Sequence, residues 1–543
     1  MRNASHLVQG EAPHGSKRRI LIVCTRFRFD RLQEPRREPL QPMAGVHVAS
    51  QIDESKYDVD LYHEDWHGAF DTTHPRDYDI VFLSGLQFEF DRMRQLSYFF
   101  RRWGALVVAG GSICTLFPEF AAQFFDVVCA GGVDCVTDVI ADYEKACIKP
   151  VYYSPQSRFT NYAVKHEAYY RAGIGGPFHL IESSRGCNFT CDFCVLPAEK
   201  AKHTAYNIDH VVAAIEDSIA LAPRDSARSR WAALWFIDNN FSQNRGHALA
   251  VCDYLKANTR VKGWGALITQ DALRDHDFIA RLADAKCRVL FTGIESLSPE
   301  FLKLHNKKQN LSKHFDPKDD IAFAERAGIC INYPYLFDPR ISTAAEMHEQ
   351  IAVLARQTGF PLPTFLSFVS PLAGTSLFWD AAAKGELLPN LALRDLDGGT
   401  VAYRNLVDTP ENLARFAHAI FTDPATLISR TQVLWSTLHR ATRVKVADPV
   451  HLWALTASNL SLFTTAWAHR RAPRRSYMGG DTQLDGQYSA FPADIAPSDF
   501  ERYFAPIRVT NAKGEPADWM APYAPRKLTG GRPALLEIGA STS

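Results

Sequence analysis

Short, continuous apolar runs alternating with helix-period segments constrain this chain more than any other feature of its sequence. Residues 19–25 (RILIVCT), 59–62, 80–84, 105–109 and 127–130 are such runs. A strand buried on both faces reads as an unbroken apolar stretch rather than an alternation, so these are parallel strands with helices on either side. Segments 45–52 and 92–102 carry the helical period between them. Strand–helix alternation specifies a doubly wound, Rossmann-like α/β domain over residues 17–147. In such sheets ligands bind beyond the carboxyl ends of the strands. Those ends carry Ser84-Gly85-Leu86, Gly110-Gly111 and Gly131-Gly132.

A second alternating unit spans residues 177–373. Its strand segments are 179–183, 233–238, 263–268, 288–293, 330–335 and 364–369, with helical patterns at 208–220, 247–257, 275–285, 321–327 and 344–357. Six β/α repeats describe a partial (β/α)6 barrel of parallel strands, with chemistry at the carboxyl strand ends. Residues 148–176 show no period, carry Pro150 and Pro155, and read as a linker. Residues 374–543 read as a mainly helical C-terminal domain with helices over 410–440 and 449–469, and residues 1–16 as a disordered tail.

With 60 Lys plus Arg against 60 Asp plus Glu, the chain has no net charge to attract nucleic acid or an anionic surface. The first sixteen residues lack the apolar centre of a secretory signal. The apolar stretch 449–467 is interrupted by Thr456, Ser458, Asn459, Ser461, Thr464 and Thr465, so it reads as a buried helix and not a membrane span. Eleven unevenly spaced cysteines without an export signal indicate reduced thiols and a cytoplasmic protein.

Eight of the cysteines are scattered through apolar contexts, where a free thiol behaves as a small hydrophobe. The other three are clustered, in Glu182-Ser-Ser-Arg-Gly-Cys187-Asn-Phe-Thr-Cys191-Asp-Phe-Cys194, directly after the first strand of the second unit. Three thiolates on a loop suit three corners of an iron–sulfur cubane and leave the fourth iron open to a non-protein ligand. A structural zinc site wants four ligands in two separated pairs, and only His203 lies nearby. A helix burying one cysteine face gives the same spacing but conflicts with Gly186 and Asn188.

The Cys-x3-Cys-x2-Cys pattern, with Phe193 in the second gap, resembles the signature of the radical S-adenosylmethionine (SAM) superfamily. That resemblance implies a 4Fe-4S cluster on Cys187, Cys191 and Cys194, SAM bound through its amino and carboxylate groups to the open iron, and Phe193 near the adenine. It further implies cleavage of SAM to a 5′-deoxyadenosyl radical that abstracts a substrate hydrogen. The segments Trp235-Phe-Ile-Asp238-Asn-Asn-Phe241, Gln270, Gly293-Ile-Glu295-Ser296, Asn306-Lys-Lys-Gln309-Asn310 and Ser367 to Thr375 look like the subgroup with an N-terminal cobalamin-binding domain, which includes hopanoid and bacteriochlorophyll methylases. On that likeness Asp238, Gln270, Glu295 and Ser296 hold SAM, while Ser84, Gly85, Leu86, Gly110 and Gly111 flank cobalamin. Gln309 and Asn310 are equally read as caps, and Tyr333 and Tyr335 equally as substrate-packing or core residues. The cobalt-ligating Asp-x-His-x-x-Gly motif of some members is absent, and His47 lies inside an apolar helix.

The resemblance implies cobalamin-dependent C-methylation, an external one-electron donor such as flavodoxin or ferredoxin, and a small-molecule, lipid or peptide substrate. The cysteine loop alone leaves open a non-methylating radical outcome without cobalamin, and an iron–sulfur or zinc protein that cleaves no SAM.

Overall fold

The computed structural model describes residues 17–25, 43–154, 162–174, 178–221, 232–311, 316–357, 360–446, 448–471, 476–483 and 491–525. The tail expected over 1–16 and part of the expected linker lie outside the described residues.

Six parallel strands form the first sheet: β1 (Arg18–Cys24), β2 (Tyr57–His63), β3 (Ile80–Gly85), β4 (Leu106–Gly111), β5 (Val127–Ala130) and β6 (Val151–Tyr153). Their order is β2-β1-β3-β4-β5-β6, so the chain reverses direction across the sheet between β1 and β3. Within β1, Ile20 and Ile22 face one layer of helices while Leu21 and Val23 face the other. Burial on both faces is why the run carries no alternation. Strand β6 falls inside the segment expected as a linker. It is three residues long and pairs only with β5, so an edge position was filled without any apolar period to announce it.

The second sheet is also parallel. Strands β7 (Phe178–Ile181), β10 (Ala232–Phe236), β11 (Val261–Thr269), β12 (Cys287–Gly293) and β13 (Cys330–Asn332) lie in the order β13-β12-β11-β10-β7. Two short strands, β8 (Ser184–Arg185) and β9 (Thr204–Ala205), pair antiparallel at the root of the cysteine loop. Strands β14 (Pro334–Phe337) and β15 (Phe365–Phe368) form a parallel pair, tied to the end of β12 through a bridge between Glu295 and Tyr335. All six expected segments are strands, the fifth being split at Tyr333. The Tyr333 hydroxyl donates to the Pro361 carbonyl (2.7 Å) and that of Tyr335 to Gln350 Oε1 (3.1 Å), so both tyrosines are core residues.

The helix expected over 410–440 is two helices, Pro410–Thr422 and Arg430–Val444. Pro424 ends the first because it has no N–H to donate, and Ser429 with Gln432 caps the second through reciprocal hydrogen bonds. Residues beyond 373 divide between the two sheets. Phe378, Leu391, Tyr403, Val509 and Met520 pack on the first. Leu413, Phe416, Ile420 and Val433 pack on the second. Among the described residues no helix is long and apolar enough to cross a membrane.

Helix Arg430–Val444 is anchored by a buried charge. Arg440 donates to Glu325 Oε1 (2.6 Å), Asn459 Oδ1 (2.9 Å) and the Ile331 carbonyl (2.9 Å). Removing one member of a buried pair strands the other in low dielectric. Glu325→Ala is expected to cost about 3–5 kcal/mol of unfolding free energy, read by denaturant titration.

Candidate active site

The cysteine loop leaves the carboxyl end of β7, and a buried carboxylate fixes its departure. Glu182 Oε2 accepts from Arg185 Nε (2.8 Å) and the Tyr206 hydroxyl (2.6 Å), and lies 2.9 Å from His47 Nε2. Burial raises its pKa, but Arg185 and His47 outweigh this and hold it down to about 2. His47 comes from the first domain, on helix Ala44–Ser50, and its other ring nitrogen meets the Tyr162 hydroxyl at 3.1 Å. Arg185 also reaches Asp134, beyond β5 (3.7 Å).

Asp238 lies one strand over. Its Oδ1 accepts from the Ser183 N–H (2.7 Å), and its Oδ2 accepts from the hydroxyls of Ser183 (2.6 Å) and Ser184 (2.5 Å). Burial outweighs these three donors and raises it to about 7. The polar atoms of Asp238 are thus engaged with the root of the loop.

Gly186 then turns the chain at φ +76°. A Cβ there would stand 2.3 Å from the Lys202 carbonyl oxygen, so the position admits only glycine.

Two polar braces hold the loop. On one side the segment after β10 supplies Asn239, whose Oδ1 accepts from the Gly186 N–H (2.8 Å), and Gln243, whose Oε1 accepts from the Asn188 N–H (3.2 Å). Asn240 Nδ2 points at Cys187 Sγ (4.0 Å). On the other side stands the segment 305–310. Asn306 donates to the Thr190 carbonyl (2.7 Å), Gln309 Nε2 donates to Cys191 Sγ (3.2 Å), and Asn310 clamps the Gly293 and Ile294 carbonyls. His305 donates to Asp192 (3.0 Å) and Asp338 (3.0 Å). Burial opposes its charge, yet the two carboxylates raise its pKa. Arg340 carries this chain of charges from Asp338 to Glu386.

Cys191 is buried, and Cys187 and Cys194 are partly so. Burial pushes the thiols of Cys191 and Cys194 up, the latter to about 12, so a metal must displace their protons. Among the described residues no three His, Cys, Asp or Glu side chains gather around a point fit for one metal ion. In a cubane each thiolate binds a different iron, so the three sulfurs need not converge. The surroundings suit an anionic cluster. Amide N–H groups point at two sulfurs, and buried Lys307 lies near Cys191, with Nζ 5.6 Å from the Phe193 ring centre.

Of the expected SAM contacts, Glu295 sits in the left-handed region (φ +63°) and pairs with Lys307 (2.6 Å). Ser296 and Gln270 are buried at adjoining strand ends. In the first sheet, Ser84 pairs with Gly110 and Gly85 with Gly111, side by side at the carboxyl edge, and exposed Leu86 follows. Packing explains two of these glycines. A Cβ on Gly85 would meet Thr25 Oγ1 at 2.3 Å, and one on Gly111 the Gly85 oxygen at 2.3 Å. Gly110 is different. A Cβ there would meet nothing closer than 3.9 Å, which leaves room for a ligand.

The Glu182–His47 contact has a defined pH response. Glu182, depressed from 4.5, contributes fully above that value and is lost as pH falls toward 2. His47, depressed from 6.5 by burial despite Glu182 beside it, contributes fully above 6.5 and is lost on acidification. Both signs make acid loosen the joint. Thermal melts at about pH 7 and about pH 5 are expected to show a larger loss of midpoint for the natural protein than for His47→Gln.

No family model matches the chain. It is 26% identical over 360 residues, 64% of this chain and 77% of the relative, to bacteriochlorophyllide d C-8(2)-methyltransferase of Chlorobaculum tepidum. It is 23% identical over 243 residues, 43% of this chain and 45% of the relative, to hopanoid C-2 methylase of Rhodopseudomonas palustris. In fold it is similar to the cobalamin-dependent S-adenosylmethionine radical enzyme OxsB with aqua-cobalamin and S-adenosylmethionine bound. The TM-score is 0.54 at 14% identity, over 85% of this chain and 77% of that one. By its cysteine loop, these relatives and this fold, the chain resembles the radical SAM enzymes that carry a cobalamin-binding-type domain ahead of the loop.

Proposed function

We propose that the protein is a cobalamin-dependent radical SAM enzyme that methylates carbon. In this reading the second sheet, continued by β14 and β15, acts as the partial (β/α)6 barrel. The first sheet is the cobalamin-binding domain, and residues from 374 cover both. The carrying observation is that the cysteine loop meets the carboxyl edge of the first sheet. Partly buried Glu199, just past the cysteines, lies against Ser112, which directly follows Gly110-Gly111, and Gln87 of the first domain donates to both Ser112 Oγ (3.3 Å) and the Ala373 carbonyl (3.0 Å). Methyl transfer to a substrate radical needs both cofactors within reach of one substrate carbon.

Cys187, Cys191 and Cys194 would hold three irons and leave the fourth to SAM. When bound, the cluster supplies the electron that breaks the SAM carbon–sulfur bond, and cobalamin supplies the methyl group. The protein's own part is orientation. Gln309 and Asn240 direct N–H groups at sulfur, and Phe193 offers a flat face for the adenine. Gln270, Glu295 and Ser296 stand where ribose and methionyl groups would lie, with Lys307 holding the Glu295 carboxylate in place. Ser84, Leu86 and Gly110 edge the cobalamin site. The electron donor is a low-potential carrier of the flavodoxin or ferredoxin type, and the substrate a small molecule, lipid or peptide.

The test is turnover of methyl-deuterated SAM by anaerobically reconstituted protein with a strong reductant. Production of 5′-deoxyadenosine is expected, with a drop to background in Cys191→Ala. Retention of full activity by that variant contradicts the assignment, and a deuterium-free product with deoxyadenosine still formed contradicts methylation.

A further inference from the structure

The second sheet has one face under its helices and one face inside the partial barrel. On β11, β12 and β13, Ala266, Leu290 and Ile331 pack outward on the helices. Side chains alternate along a strand, so Leu267, Phe291 and Asn332, one residue further on, point inward. The register sets them in one row, Leu267 beside Phe291 and Phe291 beside Asn332. The inward row beneath, Gly265, Val289 and Cys330, is filled. Trp235 lies over Gly265, where a Cβ would stand 2.5 Å from its ring. Val450, Ala454 and Leu455 of helix Pro449–Arg471 join the same buried cluster and close the amino end of the barrel. Leu267 and Phe291 are only half-buried, so theirs is the deepest row that stays open. Phe365 on β15 extends it, 41% exposed. Its ring lies nearly parallel to that of Phe291, with centres 5.9 Å apart and 16° between planes.

Position and chemistry together say what lies on this floor. The row above it is Thr269 beside Gly293, and Gln270 and Glu295 follow directly on those two strands. In the proposed reading those residues hold SAM, so a molecule on the floor lies beneath the radical and is the substrate. Asn332 is the one polar side chain of the open row. It is 8% exposed, and its Oδ1 accepts no hydrogen bond among the described residues. A buried acceptor left unpaired costs free energy that a donor on a ligand recovers. None of these rows carries a charged side chain, and Glu295 and Lys307 at the rim are paired with each other (2.6 Å). A charged group placed here would lose its water and find no partner. A peptide would leave its amides unpaired against Leu267, Phe291 and Phe365. Two near-parallel rings instead suit a flat carbon skeleton. We infer that the substrate is an uncharged, flat, largely hydrocarbon molecule, and that Asn332 determines specificity by accepting from its one buried hydroxyl or N–H. Calling the occupant a substrate rests on the radical SAM reading; the binding chemistry does not.

The test titrates three flat probes, 2-naphthol, naphthalene and 2-naphthoate, into the anaerobically reconstituted full chain with SAM present, and reads binding by probe fluorescence. 2-Naphthol is expected to bind about tenfold tighter than naphthalene, with 2-naphthoate the weakest. Asn332→Leu is expected to keep naphthalene binding and erase the advantage of 2-naphthol. Its thermal midpoint without probe should stay level or rise, because a buried unpaired amide has been removed. Phe365→Ala, at an exposed position, is expected to weaken both neutral probes alike. Equal binding of 2-naphthol and naphthalene overturns the inference, as do tightest binding of 2-naphthoate and a 2-naphthol advantage that survives Asn332→Leu. A lowered midpoint in Asn332→Leu marks Asn332 as structural and overturns its role in specificity. Binding is read without turnover. A protein that forms no 5′-deoxyadenosine yet prefers 2-naphthol fails the radical reading alone, and one that forms it without that preference fails this inference alone.

Discussion

Glu182 is buried where the two sheets meet, and its carboxylate is shared among His47 of the first domain, Arg185 of the cysteine-loop root and Tyr206 beyond it. A buried carboxylate is expensive unless its charge and lone pairs are satisfied. Here the partners come from three separate elements, so the cost is offset only when those elements stand in one arrangement. That requirement sets where the cysteine loop begins relative to the first sheet. The short β8–β9 pairing and the glycine turn at 186 follow from it. The Asp238 carboxylate makes the same demand from the neighbouring strand, through Ser183 and Ser184.

The loop itself has little regular structure, so its shape is borrowed. One brace comes from the residues after β10 and the other from 305–310. A third tie joins the Leu377 N–H to the Asp192 carbonyl (3.1 Å), and Gln87 of the first domain reaches the Ala373 carbonyl (3.0 Å). The region beyond 373 therefore shapes the site as well as covering it. A loop held from three sides presents its sulfurs preorganised, which is what a cluster needs if its open iron is to face SAM and not water.

Much of this was legible in the residues. Strands buried on both faces announce themselves as apolar runs, and the cysteine spacing points to three thiolates on one loop. The braces were legible only in part. Asn239, Asn240, Asn306, Gln309 and Asn310 fall in segments with a family likeness, but Gln243 contacts the cysteine loop some fifty residues earlier, and no periodicity reports such a contact. His47, a polar residue on an apolar helix, has its partner Glu182 135 residues later in the chain, which the local pattern does not report. Strand β6 was hidden because an edge of three residues needs no pattern. Pro424 marks the break between helices 410–422 and 430–444, although the apolar period runs on across it. Gly85 and Gly111, which the resemblance sets beside cobalamin, are also required by strand packing, whereas a Cβ on Gly110 would meet nothing closer than 3.9 Å.

The most direct measurement is the metal and corrinoid content of protein purified under strict anaerobiosis, taken together with the electron paramagnetic resonance of its reduced cluster before and after SAM is added. On the order of four irons per chain, one cobalamin and a SAM-shifted signal are expected. Zinc in place of iron, or a cluster signal that SAM leaves unmoved, would contradict the assignment of Cys187, Cys191 and Cys194.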